Sequence, residues 1–257
     1  MALERPPGYV PPTPPAAADV TRTLRTVGTA LVPSLVRLAL RRLRPLPTTR
    51  TPEGLAAVQE WSRGALRRFG VDLEVLFAER VPATGGLVLM WNQESHLDHL
   101  ILVSAIPRPF FSLYNNAIAR VPFYGPYMRE RGHVHVDRND EAQWRPSIAR
   151  AAERVQGGEC VLVSPEGTRS WDGRLLPLKR GALMLAVASR RPVVCVTVVG
   201  GHDRLPRGSA FVRAGPVRVV FPEPIPNDGG EVSEGAERAL AERVAETFER
   251  VKKEHAL

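Results

Sequence analysis

The sequence predicts an α/β fold: a central mixed, largely parallel sheet flanked by helices. Three observations predict it. Short apolar, β-branched runs alternate with helical stretches through the middle of the chain. Two of these runs, residues 87–91 and 160–163, end in polar, turn-forming segments. The chain has 257 residues, no internal repeat and no clear linker, which suits one domain preceded by an arm.

Residues 1–21 carry a proline run to Pro15 and are expected to be flexible or polyproline-like. Glu4, Arg5, Pro6 and Pro7 precede any apolar stretch, which does not suit a signal peptide. Residues 22–50 read as a basic helical arm. Arg22 and Arg25 lie before an apolar patch at 27–40, broken by Pro33 and Arg37; Arg41, Arg42 and Arg44 come after it. The patch is too short and interrupted for a membrane span, and its basic flanks suit an interfacial amphipathic helix. A helix packed on its own domain would carry the same pattern.

Residues 51–257 form the expected α/β domain. A helix is predicted over 52–68, with Thr51 as cap, Pro52 in the first turn and Gly70 as stop. Strands are predicted over 71–77, 86–91, 110–114, 134–138, 159–163 and 193–199. Helices are predicted over 97–105, 145–155 (with Pro146 in its first turn), 181–189 and 231–253. Residues 211–213 and 217–221 suggest a late hairpin.

The formal charge of +8 is nearly all arginine, since Lys179, Lys252 and Lys253 are the only lysines. A basic balance suits anionic partners: an acidic membrane surface, phosphorylated substrates or nucleic acid. No interleaved basic and aromatic run and no zinc-finger or helix-turn-helix spacing appears, so nucleic acid is the weaker choice. Cys160 and Cys195 fall inside predicted buried strands and read as reduced, structural thiols in a cytosolic setting. His133 and His135 share a strand face, but no third ligand accompanies them, so no metal site is expected.

The two polar segments hold the chemistry. The first reads Asn92-Gln93-Glu94-Ser95-His96-Leu97-Asp98 and the second Ser164-Pro165-Glu166-Gly167-Thr168-Arg169-Ser170. Both come directly after strands, where open α/β sheets build their sites. Gly167 permits close backbone approach, and Arg169 offers a two-pronged grip on phosphate. Glu166 would repel an anion, so it is expected to hold an arginine or a substrate hydroxyl. Arg138, beside Asp137, is a second candidate fork for phosphate oxygens. Lys179 and Arg180 are either a solvated pair or an attraction for an acidic donor or membrane. His202-Asp203 reads as a structural loop pair.

Over residues 70–225 the chain resembles the glycerolipid acyltransferases of the 1-acylglycerol-3-phosphate acyltransferase type. Asn92, Ser95 and Asp98 match that family's first block, Asn-His-x-Ser-x-x-Asp. Residues 121–125, Val-Pro-Phe-Tyr-Gly, resemble the segment before the second block, and residues 132–138 resemble that block. Pro165-Glu166-Gly167-Thr168-Arg169-Ser170 matches the third block in full. Residues 179–182 resemble the segment just after the third block, and residues 192–198 resemble the fourth, apolar block. The resemblance implies acyl transfer from acyl-CoA or acyl-carrier protein, as substrate rather than cofactor, to a glycerolipid hydroxyl. It implies a histidine base oriented by an aspartate, and a phosphate held by the third block with the second-block arginine.

Gln93 stands in the histidine position, and a carboxamide cannot take a proton near neutral pH. The catalytic candidates are therefore Asp98, Gln93 and His96, with His96 as a replacement base and His99 behind it. The substrate-binding candidates are Ser95, Arg138, Glu166, Gly167, Thr168 and Arg169. Asn115-Asn116 occupies a place where the family often has lysine, which points away from the usual phosphate or CoA contact there. Two function classes are compatible with these residues: a membrane-peripheral acyltransferase, or a lipid-binding protein on the same fold without the base. The retained charges of Asp98, Glu166 and Arg169 favour the enzyme. Its expected place is the cytoplasmic side, peripheral on the inner face of the cell membrane, with an anionic surface, a lipid acceptor and an acyl donor as partners.

Overall fold

Strand β2 (Leu87–Trp91) is buried along its whole length, and its alternating side chains serve two cores. Leu87, Leu89 and Trp91 face one side; Val88 and Met90 face the other. Such a strand needs cover on both faces. In this computed structural model, which describes residues 5, 9, 11–39, 47–227 and 232–257, helices supply it.

The remaining strands are β1 (Val71–Leu76), β3 (Phe111–Tyr114), β4 (Val134–His135), β5 (Cys160–Val163), β6 (Val193–Val199) and β7 (Gly215–Val220). Among the described residues they form one seven-stranded sheet in the order β1-β7-β6-β2-β5-β3-β4. Every pairing is parallel except β6 with β7. The sheet is mixed and largely parallel, as the sequence predicts. β6, β2 and β5 lie side by side in one direction, so their carboxyl ends share an edge.

The helices are α1 (Ala17–Thr26), α2 (Val32–Ala39), α3 (Pro52–Phe69), α4 (Asp98–Ala105), α5 (Asn116–Ala119), α6 (Tyr124–Glu130), α7 (Glu141–Gln156), α8 (Arg180–Ser189), α9 (Gly201–Arg204) and α10 (Glu234–Glu254). One core packs α3 and α4 on the sheet through Leu66, Phe69, Ile101 and Leu102. The other packs α7, α8 and α10 through Ala151, Val155, Leu185, Val244 and Phe248. Thr51 caps α3 by accepting a hydrogen bond from the Gly54 amide at 3.1 Å, and Gly70 ends it at φ 73°.

Several expectations are corrected. Residues 211–213 form no strand; β7 instead pairs in parallel with β1 and antiparallel with β6, so the late hairpin is absent. α7 begins at Glu141, which leaves Pro146 inside the helix rather than in its first turn. β4 is two residues long, not five. The arm's helix begins at Ala17, inside the stretch expected to be flexible. Pro33 does not break it. The preceding turn widens into a π-helix over Val27–Leu31, which accommodates a ring that lacks an N–H and crowds the carbonyl four residues back. The arginines at 41, 42 and 44 lie outside the described residues, as does residue 231, where the sequence predicts the last helix to start; α10 starts at Glu234, capped by Ser233.

The arm packs on the domain through one face and leaves apolar side chains exposed on another. Thr23 is buried on the domain, and its hydroxyl accepts a hydrogen bond from the Val212 amide at 3.0 Å. Leu24, Val32 and Val36 remain 61%, 47% and 53% exposed, so the arm turns apolar side chains outward as well. No described helix is long and apolar enough to cross a membrane.

Candidate active site

The site is built at the shared edge of β6, β2 and β5. Asn92, just past β2, continues the ladder with its side chain. Its Nδ2 donates to the Val198 carbonyl at 2.8 Å, and its Oδ1 accepts from the Val198 amide at 2.7 Å. A carboxamide can do this because it carries the donor and acceptor of a peptide group. The loop after β2 is thereby fixed to the end of β6.

Gln93 is held by its backbone. Its amide donates to Glu166 Oε1 at 2.6 Å, and its carbonyl accepts from the Ser170 amide at 3.1 Å. Two segments distant in sequence thus meet at residue 93. No hydrogen bond holds the Gln93 carboxamide among the described residues, and the side chain is half-buried.

Asp98 opens α4. Its Oδ2 accepts from the amides of Glu94 and Ser95 at 2.9 and 3.0 Å, closing the loop on itself. Its Oδ1 is buried and has no hydrogen-bond partner among the described residues. A Cβ at Gly201 would lie 3.1 Å from Val198 Cγ1 and 3.3 Å from that oxygen, so any side chain there would crowd both. Burial, reinforced by nearby Glu94 and Glu166, pushes the Asp98 carboxyl well above the usual range against the pull of the two amides.

Glu166 is buried and grips backbone, not arginine. Oε1 takes the Gln93 amide and Oε2 the Leu176 amide at 2.7 Å. No arginine pairs with it among the described residues, so this double clamp replaces the expected arginine contact. Burial raises its pKa to about 7, with Glu94 adding and the two amides opposing. Ser95 is also turned inward: its hydroxyl donates to the Leu205 carbonyl at 3.0 Å and accepts from the Leu97 amide at 3.1 Å. Both partners are protein groups, so Ser95 braces the loop rather than offering a free hydroxyl to substrate.

Arg169 shares this edge with Asp98; burial and then nearby Arg207 lower its pKa, and Asp98 opposes them. Its Nη1 is buried without a hydrogen-bond partner among the described residues, and its carbonyl accepts from Arg207 Nη1 at 2.8 Å. Arg207 in turn lies over the Trp171 ring, 4.4 Å from its centre. His96 is exposed at the same place. Partial burial, then Arg169, His99 and Arg207, hold its pKa below the ordinary value, so its imidazole is neutral near pH 7. Asp98 spends one oxygen on the loop and turns the other to Gly201, so no Asp98–His96 dyad forms. His99 packs on Trp91 with 5.9 Å between ring centres.

The second block meets the third: Arg138 Nη1 donates to the Gly167 carbonyl. Gly167 has φ 68°, and a Cβ there would overlap that guanidinium. Thr168 lies half-buried in the turn between Gly167 and Arg169. Asn115 caps α5 by accepting from the Ile118 amide, and Asn116 Oδ1 meets His135 Nε2 at 2.6 Å. His133 Nδ1 accepts from the Ser112 amide at 3.0 Å, so the two histidines serve separate partners. Arg180 pairs with Glu237 at 2.8 Å and ties α8 to α10. Cys160 and Cys195 are buried free thiols, both with raised pKa values from burial, Cys160 to about 12.

Residues 72–199 match the acyltransferase family model. This chain belongs to that family. It is similar to the 1-acyl-sn-glycerol-3-phosphate acyltransferase of Cocos nucifera, 30% identical over 56% of this chain and 47% of that one. The chloroplastic enzyme BAT2 of Brassica napus is 35% identical over 54% of this chain and 40% of its own length. Human 1-acyl-sn-glycerol-3-phosphate acyltransferase beta is 28% identical over 70% and 65%. The match thus spans about half the length of the first two. The crystal structure of the 1-acyl-sn-glycerophosphate acyltransferase PlsC from Thermotoga maritima superposes with a TM-score of 0.74 at 23% identity, covering 92% of this chain and 95% of that one. At that identity the likeness shows the shared fold.

Sequence reasoning missed Glu94, Lys252, Gly201 and Arg207. Glu94 Oε1 accepts from Asn92 Nδ2 at 3.0 Å and from Lys252 Nζ, and its Oε2 from the His202 amide at 3.2 Å. Lys252 comes after Val244 and Phe248 at four-residue steps, which places it on the buried stripe of α10 and was the available signal.

The raised pKa of Glu166 sets a sign for stability. Its folded value of about 7 lies above the ordinary 4.5, so the folded chain holds that proton more tightly. The contribution is complete below about pH 4.5 and is lost as pH rises through 7, on the order of 3 kcal/mol in all. Urea unfolding at pH 5 and pH 8 will show a larger loss in the parent than in Glu166→Gln. Equal losses in the two proteins would contradict the assignment.

Proposed function

We propose that the protein is a membrane-peripheral O-acyltransferase that moves a fatty acyl group from a thioester, acyl-CoA or acyl-carrier protein, to the hydroxyl of a lysophospholipid or related glycerolipid. The observation that carries this reading is the double pinning of the Gln93 backbone to Glu166 and Ser170. It sets residue 93, Asp98 and Arg169 around one edge of the sheet. Arg169, with a buried nitrogen lacking a partner among the described residues, suits the acceptor's phosphate. Arg207 adds a second guanidinium beside it. The relatives' names support the same substrate class.

In this reading the acceptor hydroxyl attacks the thioester carbonyl. The new C–O bond forms, the C–S bond breaks, and the proton leaves the hydroxyl. A thiol with a pKa of about 8.5 departs without a strong acid. The base is the scarce component, because Gln93 cannot accept a proton. His96 takes that role: it is exposed, neutral near pH 7 and close to Arg169. It works without an aspartate behind it, so turnover is slow.

A second reading, a lipid-binding protein that performs no transfer, is favoured by the buried Asp98 Oδ1 with no imidazole to meet it. Acyl transfer from acyl-CoA to lysophosphatidate separates the two. The proposal expects measurable parent activity, a loss of at least about tenfold in His96→Ala, and a gain of about 10²–10⁴ in Gln93→His, the usual worth of a general base. An inert parent that gains activity only as Gln93→His supports the binding protein. Parent activity indifferent to both changes would refute His96 as the base.

The outward side chains of the arm supply the membrane contact. Leu24, Val32 and Val36 are exposed on α1 and α2, with Arg22 and Arg25 on the same arm. Flotation with vesicles containing anionic phospholipid should recover the parent and leave a Leu24→Ser, Val32→Ser, Val36→Ser triple variant largely unbound. Equal recovery would reject the arm as the anchor.

A further inference from the structure

The Glu94 carboxylate is buried within the site loop, yet substrate chemistry does not explain it. Its neighbours do. It collects Asn92 from the end of β2, the His202 amide from α9 and Lys252 Nζ from α10. Lys252 Nζ also donates to the Gly173 carbonyl at 2.5 Å, in the turn just after Arg169. One ammonium therefore touches both halves of the site. Glu94 is also the residue whose amide, with that of Ser95, holds Asp98.

The electrostatics point the same way. Glu94, Asp98 and Glu166 are all buried, and Glu94 raises the energy of charge on both of the others. Among the described residues, Lys252 is the cation in hydrogen-bonding contact with this group. The last turn of the chain closes on the same wall: a Cβ at Gly200 would lie 2.8 Å from Leu257 Cδ1, and the His255 carbonyl accepts from Arg218 at 2.8 Å. A lysine used only to dock α10 would not need a buried carboxylate inside the catalytic loop, because Val244 and Phe248 already dock that helix.

We propose that Lys252 is a positioning residue for acyl transfer: by locking Glu94, it holds the loop that carries Gln93 and Asp98 against the Gly173 turn and the His202 amide. This rests on the acyltransferase reading above. Lys252 touches no reacting atom. It acts by keeping residue 93 and Asp98 in register with Arg169, an arrangement in which small displacements cost rate rather than affinity. Removing it leaves an unpaired buried carboxylate that draws the loop toward water.

The test uses the full chain, with lysophosphatidate and acyl-CoA as substrates and amide hydrogen exchange as a second readout. Lys252→Met is expected to lower kcat at least about tenfold with less than about a threefold change in acceptor KM. The amides of Glu94, Ser95 and His202 should exchange at least about tenfold faster, and Lys252→Arg should restore both readouts substantially. The double variant Glu94→Gln, Lys252→Met, which leaves neither charge buried alone, should exchange more slowly at Ser95 than Lys252→Met. Parent-like exchange and kcat in Lys252→Met would overturn the proposal. If Lys252→Met does not fold, a folded double variant supports the pairing and an unfolded one overturns it, since Lys252 would then serve the fold itself. A parent without transfer activity would remove the acyltransferase reading and, with it, any positioning for transfer; exchange would still show whether Lys252 holds the loop.

Discussion

The Glu166 carboxylate is the constraint on which the site depends. It is buried, and each oxygen accepts one backbone amide, Gln93 on one side and Leu176 on the other. Neither amide has a strand to join, and a buried N–H without a partner costs about 1–3 kcal/mol. Glu166 removes both penalties and in doing so sews the loop after β2 to the loop after β5. A glutamine there would turn an NH₂ toward one of the amides, and an aspartate would fall one methylene short. The motif residue that reads as a substrate contact is thus foremost a fastener of main chain.

Topology makes the fastening possible. β6, β2 and β5 are adjacent and run the same way, so three loops leave the sheet at one edge. Each loop is then tied by a side chain that imitates or completes backbone: Asn92 to β6, Glu166 to Gln93, Ser95 to the Leu205 carbonyl. Gly201 and Gly167 supply the space that these contacts need, one before Asp98 and one under Arg138. Burying carboxylates at this edge carries a cost, expressed as the raised pKa values of Asp98 and Glu166, to which their mutual proximity adds a smaller part. Lys252 offsets part of it from the far end of the chain.

Much of this is legible in the sequence. The strands of the sheet core announce themselves as β-branched runs, and α3 carries its cap, first-turn proline and terminal glycine in plain view. The two polar segments, and Arg169 within one of them, stand out because they come directly after buried strands. The pairing of β7 with β1 is not legible, because strand order is set by packing that a local pattern does not encode. Pro33 and Pro146 mislead a local reading: a widened turn tolerates one and a helix interior holds the other. The position of Glu166 is legible and its partners are not, since a side chain's choice between an arginine and two amides depends on three-dimensional neighbours. Lys252 lies 158 residues from Glu94, and only its spacing after Phe248 hints that it points inward.

Residue 93 concentrates the functional question. Its backbone is held by hydrogen bonds on both sides, while its side chain is a carboxamide that cannot accept a proton near neutral pH. The central claim is one shared cleft, formed by the loop through Gln93 and Asp98 together with the turn through Arg169, and occupied by one phosphorylated acceptor. The most direct measurement is an NMR titration of the isotopically labelled protein with lysophosphatidate, tracking the amides of residues 93–98, 166–170 and 207. A shared cleft predicts that all three groups shift together with a single dissociation constant. Shifts confined to one segment, or two segments titrating with different constants, would contradict it.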